Sequence, residues 1–75
     1  MRKSRDVHVL STESGWRVAQ SGRTVSNHRT QRRAIAVGAP LARQSGVDLV
    51  THGRDGCIRS KDTYGREGSA RDLEH

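Results

Sequence analysis

The sequence contains no phenylalanine and only one residue each of tryptophan, tyrosine, methionine, proline and cysteine. Aromatic side chains bury the largest apolar areas, so a chain of 75 residues with only two of them can build only a thin core. A single domain of this size is marginally stable by itself, and a dimer interface would add buried apolar area. The composition therefore predicts one domain and makes homodimerisation one of two hypotheses about its partners.

Long apolar runs are also absent. No stretch approaches the roughly 20 apolar residues of a membrane span, and no apolar signal-peptide segment follows the basic residues 1–5. A lone cysteine, Cys57, excludes an internal disulfide bond. These absences predict a cytoplasmic protein with no membrane partner.

The two ends of the chain differ in composition from the middle. Residues 1–5 are polar and basic, which predicts a disordered N-terminus. Residues 66–75 are expected to form a flexible tail, in which residues 73–75 resemble the remnant of a purification tag. The predicted domain therefore comprises residues 6–65.

Acidic residues are absent from residues 14–47, where there are six arginines and no lysine. The other segments hold eight basic and eight acidic residues, so the net charge of +6 arises in the middle of the chain. Arginine is suited to bidentate contact with phosphate. The six are Arg17, Arg23, Arg29, Arg32, Arg33 and Arg43.

Hydrophobic periodicity predicts strands in the first third of the chain and a helix after them. Residues 7–10 and 16–20 have the pattern of strands, and a weaker strand is expected over residues 23–27. The helix should run from Gln31 to about Gln44, with Thr30 as its N-cap and Ser45-Gly46 as its end. Its predicted core face is lined by small and aliphatic residues: Ala34, Ile35, Gly38, Leu41, Ala42 and Ser45.

Pro40 interrupts this helical pattern. A proline inside a helix removes one hydrogen bond and crowds the carbonyl group four residues earlier. Because Pro40 falls on the outer face, water can bond to the freed carbonyl oxygen of Ala36. We expect a helix that either bends away from the proline or is broken near residues 37–39.

The last third of the chain predicts a β-hairpin. Two strand-like runs, residues 47–52 and 57–62, flank Arg54-Asp55-Gly56. A type I′ turn would pair His52 with Arg59. A type I turn followed by a glycine bulge would pair His52 with Ile58 and turn it toward the core; we favour this second register. This second register would leave Arg59 and Lys61 on the outside, away from the core.

The order β-β-(β)-α-β-β predicts a small α+β two-layer sandwich, an antiparallel sheet with one helix across it. The string His52-Gly-Arg-Asp-Gly56, with the ending Lys61-Asp-Thr-Tyr-Gly65, resembles a bacterial family known as domain of unknown function 2188. The resemblance extends over residues 7–65 and implies the fold and a bacterial source, but no reaction. Members of that family look free of proline on the helix and usually carry glutamate there, so the arginine-lined helix is a departure from the family pattern.

Neither metal binding nor catalysis is predicted. His8, His28, His52 and Cys57 have no ligand spacing such as Cys-x-x-Cys, so we expect no metal and no cofactor.

A hydrolytic site would have to be built from His52, Asp55 and Asp62. Asp55 is a favoured turn residue and Asp62 can cap a strand end. The chain has no nucleophile elbow and no glycine-rich phosphate loop, which predicts a protein that is not an enzyme and has no small-molecule substrate.

Two functions remain. The first is non-specific binding to the phosphate backbone of nucleic acid through the six arginines. Arg29, Arg33 and Arg43 are expected on the outward helix face with Arg32 beside them, and Arg17 and Arg23 on the adjoining hairpin. The alternative is a protein-interaction or homodimerisation module with no nucleic-acid role.

Overall fold

The computed structural model describes residues 5–64. Its elements are β1 (Val7–Thr12), β2 (Gly15–Gln20), β3 (Arg23–His28), α1 (Gln31–Ser45), β4 (Leu49–His52) and β5 (Ile58–Asp62). One five-stranded sheet carries α1 on one face, which confirms the predicted α+β class. The predictions for residues 1–4 and for the C-terminal tail lie outside the described residues.

The sheet is mixed, so the expectation of an antiparallel sheet is wrong for one pair of strands. The strand order is β3-β2-β1-β4-β5, and β1 and β4 run parallel, with Val7 opposite Leu49 and His8 opposite Val50. The other three pairs are antiparallel. Because α1 reverses the chain direction after β3, β4 runs in the direction of both β3 and β1. β2 is paired on both sides, with β3 and with β1, whereas β1 has one unpaired side. β4 pairs with that side of β1.

The core lies between α1 and one face of the sheet. Small residues on the helix let it approach the strands closely: a Cβ atom added at Gly38 would lie 3.0 Å from Cδ1 of Leu49. The predicted core face is confirmed, because Ala34, Gly38 and Ala42 are buried. The sheet contributes Val7, Val9, Trp16, Val18 and Leu49.

Side-chain and backbone caps define both ends of α1. The Oγ1 atom of Thr30 accepts a hydrogen bond from the backbone N–H of Arg33 at 3.1 Å. Gly46 has φ 67°, and its N–H donates to the carbonyl oxygens of Ala42 and Arg43. These are the caps that the sequence predicts.

The helix continues through Pro40, so the predicted alternative of a break near residues 37–39 is wrong. Both Pro40 and Ala36, whose carbonyl loses its usual partner, are exposed. Hydration of that carbonyl lowers the cost of the proline enough for the packed inner face to hold the helix together.

The hairpin between β4 and β5 has the favoured register, with His52 opposite Ile58. Its turn is closed by the Gly56 N–H, which donates to the Gly53 oxygen at 2.9 Å, and Gly56 has φ 88°. In addition to the glycine bulge in the turn, the pairing of the two strands shifts by one residue between Thr51 and His52. Lys61 therefore lies opposite Val50.

The expectation that His52 faces the core is wrong. Leu49 belongs to the core beneath α1, and Thr51 has the same orientation because side chains alternate along a strand. Val50 and His52 therefore lie on the other face, which no element of residues 5–64 covers. Lys61 joins them there as the partner of Val50, instead of standing apart from them as expected. We call this side of the sheet the open face.

Among the described residues, α1 is the one helix, and it is too short and too polar to cross a lipid bilayer.

Candidate nucleic-acid interface and a histidine pair

Three arginines surround the N-terminus of α1. Arg29 immediately precedes the N-cap, and Arg32 and Arg33 lie in the first turn, which has no acidic residue. All three are exposed, and within residues 5–64 their guanidinium groups have no ion pair and no hydrogen bond. The positive end of the helix dipole adds to their charge. We call Arg29, Arg32 and Arg33 the N-terminal arginine cluster.

Two of the predicted site residues lie toward the other end of the helix. Arg43 is exposed, and its Cζ atom lies 5.3 Å from the centroid of the Tyr64 ring. Arg23 begins β3 opposite Gln20, whose side-chain amide donates to Ser45 Oγ at the end of α1. At the rise of 1.5 Å per residue of an α-helix, Arg43 lies about 15 Å along the axis from Arg33.

Arg17 lies apart from the other predicted site residues. It sits between the buried Trp16 and Val18 on β2, so its side chain lies on the open face, on the opposite side of the sheet from α1. One guanidinium nitrogen donates to Thr24 Oγ1 at 3.2 Å. The structure therefore divides the six arginines between two sides of the molecule.

The open face carries a pair of histidines that the sequence did not reveal. His8 Nδ1 and His52 Nε2 are 3.1 Å apart, and the ring centroids are 5.3 Å apart with the ring planes at 33°. The two residues are 44 positions apart in the chain. They meet because β1 and β4 pair in parallel, and no local pattern predicts that pairing.

The surroundings of His8 favour its neutral form. Burial lowers the pKa of His8 below its ordinary value of 6.5, and the nearby ring of His52 lowers it further, whereas Asp6 acts in the opposite direction. A shallow cleft of 370 Å³ adjoins His8 and is lined by Leu10, Arg17 and Ala19 among others. His8 is thus accessible from one side of the open face.

The remaining residues considered for chemistry either have local partners or are exposed without converging on a site. His28 Nε2 lies 2.8 Å from Ser26 Oγ. Asp55 Oδ1 accepts the Cys57 N–H at 3.1 Å, a contact that stabilises the turn, and Cys57 is exposed. Asp62 is exposed opposite Leu49 at the end of the hairpin. Within residues 5–64, no three histidine, cysteine or acidic residues group as metal ligands would.

These features define a small two-layer α+β domain with an arginine-rich helix on one side and an uncovered sheet face on the other. A family model described as "Uncharacterized protein conserved in bacteria (DUF2188)" matches residues 7–64, which include every strand and the helix. The chain belongs to this family, as the turn and tail motifs predicted. Searches of curated proteins and of solved structures gave no match.

Proposed function

We propose that this protein binds the phosphate backbone of nucleic acid without sequence specificity, through the N-terminal arginine cluster, and that it acts as a binding protein and not as an enzyme. One observation carries the proposal: three exposed arginines occupy positions 29, 32 and 33 at the N-terminus of one helix, and within residues 5–64 no carboxylate forms an ion pair with them. Unpaired like charges at the positive end of a helix repel one another. An anionic partner relieves that repulsion.

The spacing of the arginines fits an extended polyanion better than a single phosphate group. Arg43 extends the positive surface about 15 Å beyond the cluster, and Arg23 lies at the same end as Arg43. Phosphates repeat every 3.4 Å of axis along one strand of duplex DNA, so this length corresponds to roughly four of them.

The scarcity of aromatic residues favours contact with the backbone over contact with bases. Proteins that read single strands stack bases on aromatic side chains. Here Trp16 is 6% exposed and belongs to the core, and Tyr64 packs against the core beneath Arg43. Within residues 5–64 there is no other tryptophan, tyrosine or phenylalanine.

The test is fluorescence anisotropy with short labelled duplex DNA, single-stranded DNA and RNA across a series of salt concentrations. The variant Arg29→Gln/Arg32→Gln/Arg33→Gln removes the cluster. Each neutralised phosphate contributes about −0.9 to the slope of log K against log salt. The variant should therefore bind more weakly and show a slope reduced by roughly 2 to 3.

A matched control has the same change of charge at other positions. Arg5, Arg59 and Lys61 are exposed and lie outside α1, so Arg5→Gln/Arg59→Gln/Lys61→Gln should retain most of the affinity. Equal losses of affinity in the two variants would show that binding depends on the net charge of the protein and not on the N-terminal arginine cluster. Absence of binding by the unmodified protein at low salt would overturn the proposal.

A second candidate function is homodimerisation, and the open face is the observation that favours it. Ala19 and Val50 are buried on this side of the sheet although no element of residues 5–64 covers it, and Leu10 is half-buried beside them. Ile58 is 62% exposed next to His52. A second copy of the chain would cover this apolar surface and enlarge a thin core.

A further inference from the structure

We propose that His8 and His52 bind a divalent transition-metal ion, of which Zn²⁺ is the preferred probe, on the open face of the sheet. This inference is independent of the arginine cluster, which lies on the other side of the molecule.

The distance between the two nitrogen atoms carries the proposal. Zn²⁺ binds imidazole nitrogen at about 2.0 to 2.1 Å, so two such ligands at the tetrahedral angle are about 3.3 to 3.4 Å apart. His8 Nδ1 and His52 Nε2 are 3.1 Å apart. An opening of a few tenths of an ångström, together with a rotation of both rings that turns the two lone pairs from each other toward one shared position, converts their mutual contact into a chelating pair.

The other ring nitrogen of His52 has the partner that a ligand histidine requires. His52 Nδ1 lies 3.4 Å from the Gly56 carbonyl oxygen, which can only accept a hydrogen bond. This contact favours the tautomer with the proton on Nδ1 and leaves the lone pair of Nε2 directed toward His8. Metal-binding histidines commonly have such a carbonyl partner, because it orients the ring and fixes the tautomer.

His8 changes its tautomer on metal binding. In the metal-free protein its Nδ1–H donates to His52 Nε2, as the tautomer of His52 requires. When metal binds, the proton of His8 moves through solvent to Nε2 and the Nδ1 lone pair becomes a ligand. Both rings stay neutral, so this exchange releases no net proton.

Two imidazoles define the class of metal and the strength of the site. Imidazole suits Zn²⁺, Cu²⁺ and Ni²⁺, whereas Mg²⁺ and Ca²⁺ prefer oxygen ligands. Within residues 5–64 no third histidine, cysteine or carboxylate joins the pair, so water must complete the coordination. Such a site is open and exchangeable, and the cleft beside His8 gives solvent access to it.

The test is isothermal titration calorimetry of the full chain with zinc chloride, and with magnesium chloride as the unreactive ion. The chain has four histidines, which supply matched controls: His8→Gln and His52→Gln against His28→Gln and His75→Gln. We expect one Zn²⁺ per chain, at least a tenfold loss of affinity in each of the first two variants, and little change in the other two.

Imidazole nitrogen NMR on the unmodified protein identifies the ligand atoms without any substitution. Zinc should shift the resonances of His8 Nδ1 and His52 Nε2 and leave both ring nitrogens of His28 unaltered. Lack of zinc binding, or equal losses in all four variants, would overturn the proposal, as would zinc-induced shifts confined to His28 or His75.

Discussion

At the scale of single residues, His8 is the group whose environment makes stability depend on pH. Burial is the main cause that lowers its pKa in the folded protein below the ordinary value of 6.5. The unfolded chain therefore takes up a proton at His8 at a higher pH than the folded chain does. By linkage, the stability contributed by neutral His8 is complete above about pH 6.5 and is lost as the pH falls through its lower, folded-state pKa.

We predict that the free energy of unfolding decreases as the pH is lowered below 6.5, and that His8→Gln reduces this decrease. The measurement is urea unfolding from pH 8 to pH 5 in the presence of EDTA, which removes any metal bound to the histidine pair. Parallel pH profiles for the two proteins would show that His8 does not carry the effect. His28→Gln is the control, and its profile should keep the steeper fall of the unmodified protein.

The arginines illustrate how residues of one type acquire different surroundings. Arg54 lies with its Cζ atom 5.6 Å from the centroid of the Trp16 ring, and Arg43 stands over Tyr64 in the same way. Arginine is well suited to this packing because its guanidinium group is planar and weakly hydrated. Arg29, Arg32 and Arg33 have no such contact within residues 5–64, which is why they are the strongest candidates to bind an external anion.

At the scale of the elements, α1 combines good caps with an unfavourable interior residue. Thr30 and Gly46 satisfy backbone groups at its two ends, and such caps typically contribute about 1 kcal/mol. Pro40 removes one hydrogen bond from the middle. The element persists because tertiary packing of its small inner face outweighs that loss.

We predict that Pro40→Ala raises the free energy of unfolding by about 1 to 2 kcal/mol. Restoring the bond to the Ala36 carbonyl recovers up to about 3 kcal/mol, and the greater freedom of the unfolded chain opposes this by about 0.4 to 1 kcal/mol. Urea unfolding measures the difference. Gln44→Ala, at another exposed helix position, should change stability by less than about 0.5 kcal/mol. Unchanged or lower stability in the proline variant would contradict the prediction.

The two edge strands are poor templates for pairing with another chain. At one edge, the pairing of β3 with β2 shifts register at Val18 and Ala19. At the other edge, β5 carries the charged residues Arg59 and Lys61, and its pairing with β4 also shifts register. Bulges and edge charges are known devices that oppose strand addition. Self-association of this domain would therefore use the open face and not an edge of the sheet.

At the scale of the whole molecule, the two proposed functions use opposite sides of the sheet and respond differently to salt. Charge is concentrated on the helix side, whereas the open face presents aliphatic residues between polar ones. If the open face is a dimer interface, light scattering coupled to gel filtration should give twice the chain mass of 8.3 kDa at both low and high salt. Salt screens charges but does not weaken apolar burial.

The variant Leu10→Gln/Ile58→Gln should convert that dimer to a monomer, because it removes apolar area from the open face without adding charge. Val37→Gln is the control: Val37 is partly exposed and lies on α1, on the other side of the sheet from the open face, so this variant should stay dimeric. A monomer mass for the unmodified protein at high protein concentration would eliminate the homodimer.

Features that depend on neighbours in the chain were predictable from the sequence. The bounds of α1 follow from Thr30, Gly46 and the spacing of Ala34, Gly38 and Ala42, because capping and helical periodicity act within one or two turns. The hairpin between β4 and β5 follows from Asp55-Gly56, but that pair fits two turn types, so the sequence left two registers open and favoured the one that the structure has, with His52 opposite Ile58. Family membership was readable for the same reason, since its motifs lie in that turn and the tail.

Only the tertiary structure decided what lies on which side. The parallel pairing of β1 with β4 brings His8 to His52. The packing of α1 on the Val7, Val9 and Leu49 face of the sheet turns both histidines away from the core. The packing of α1 against the Trp16 and Val18 side of β2 leaves Arg17 on the opposite side from the other five arginines of the middle segment. Alternation along a strand assigns residues to two faces but does not say which face the helix covers. That choice is made by packing between residues distant in the chain, and the sites on both faces depend on it.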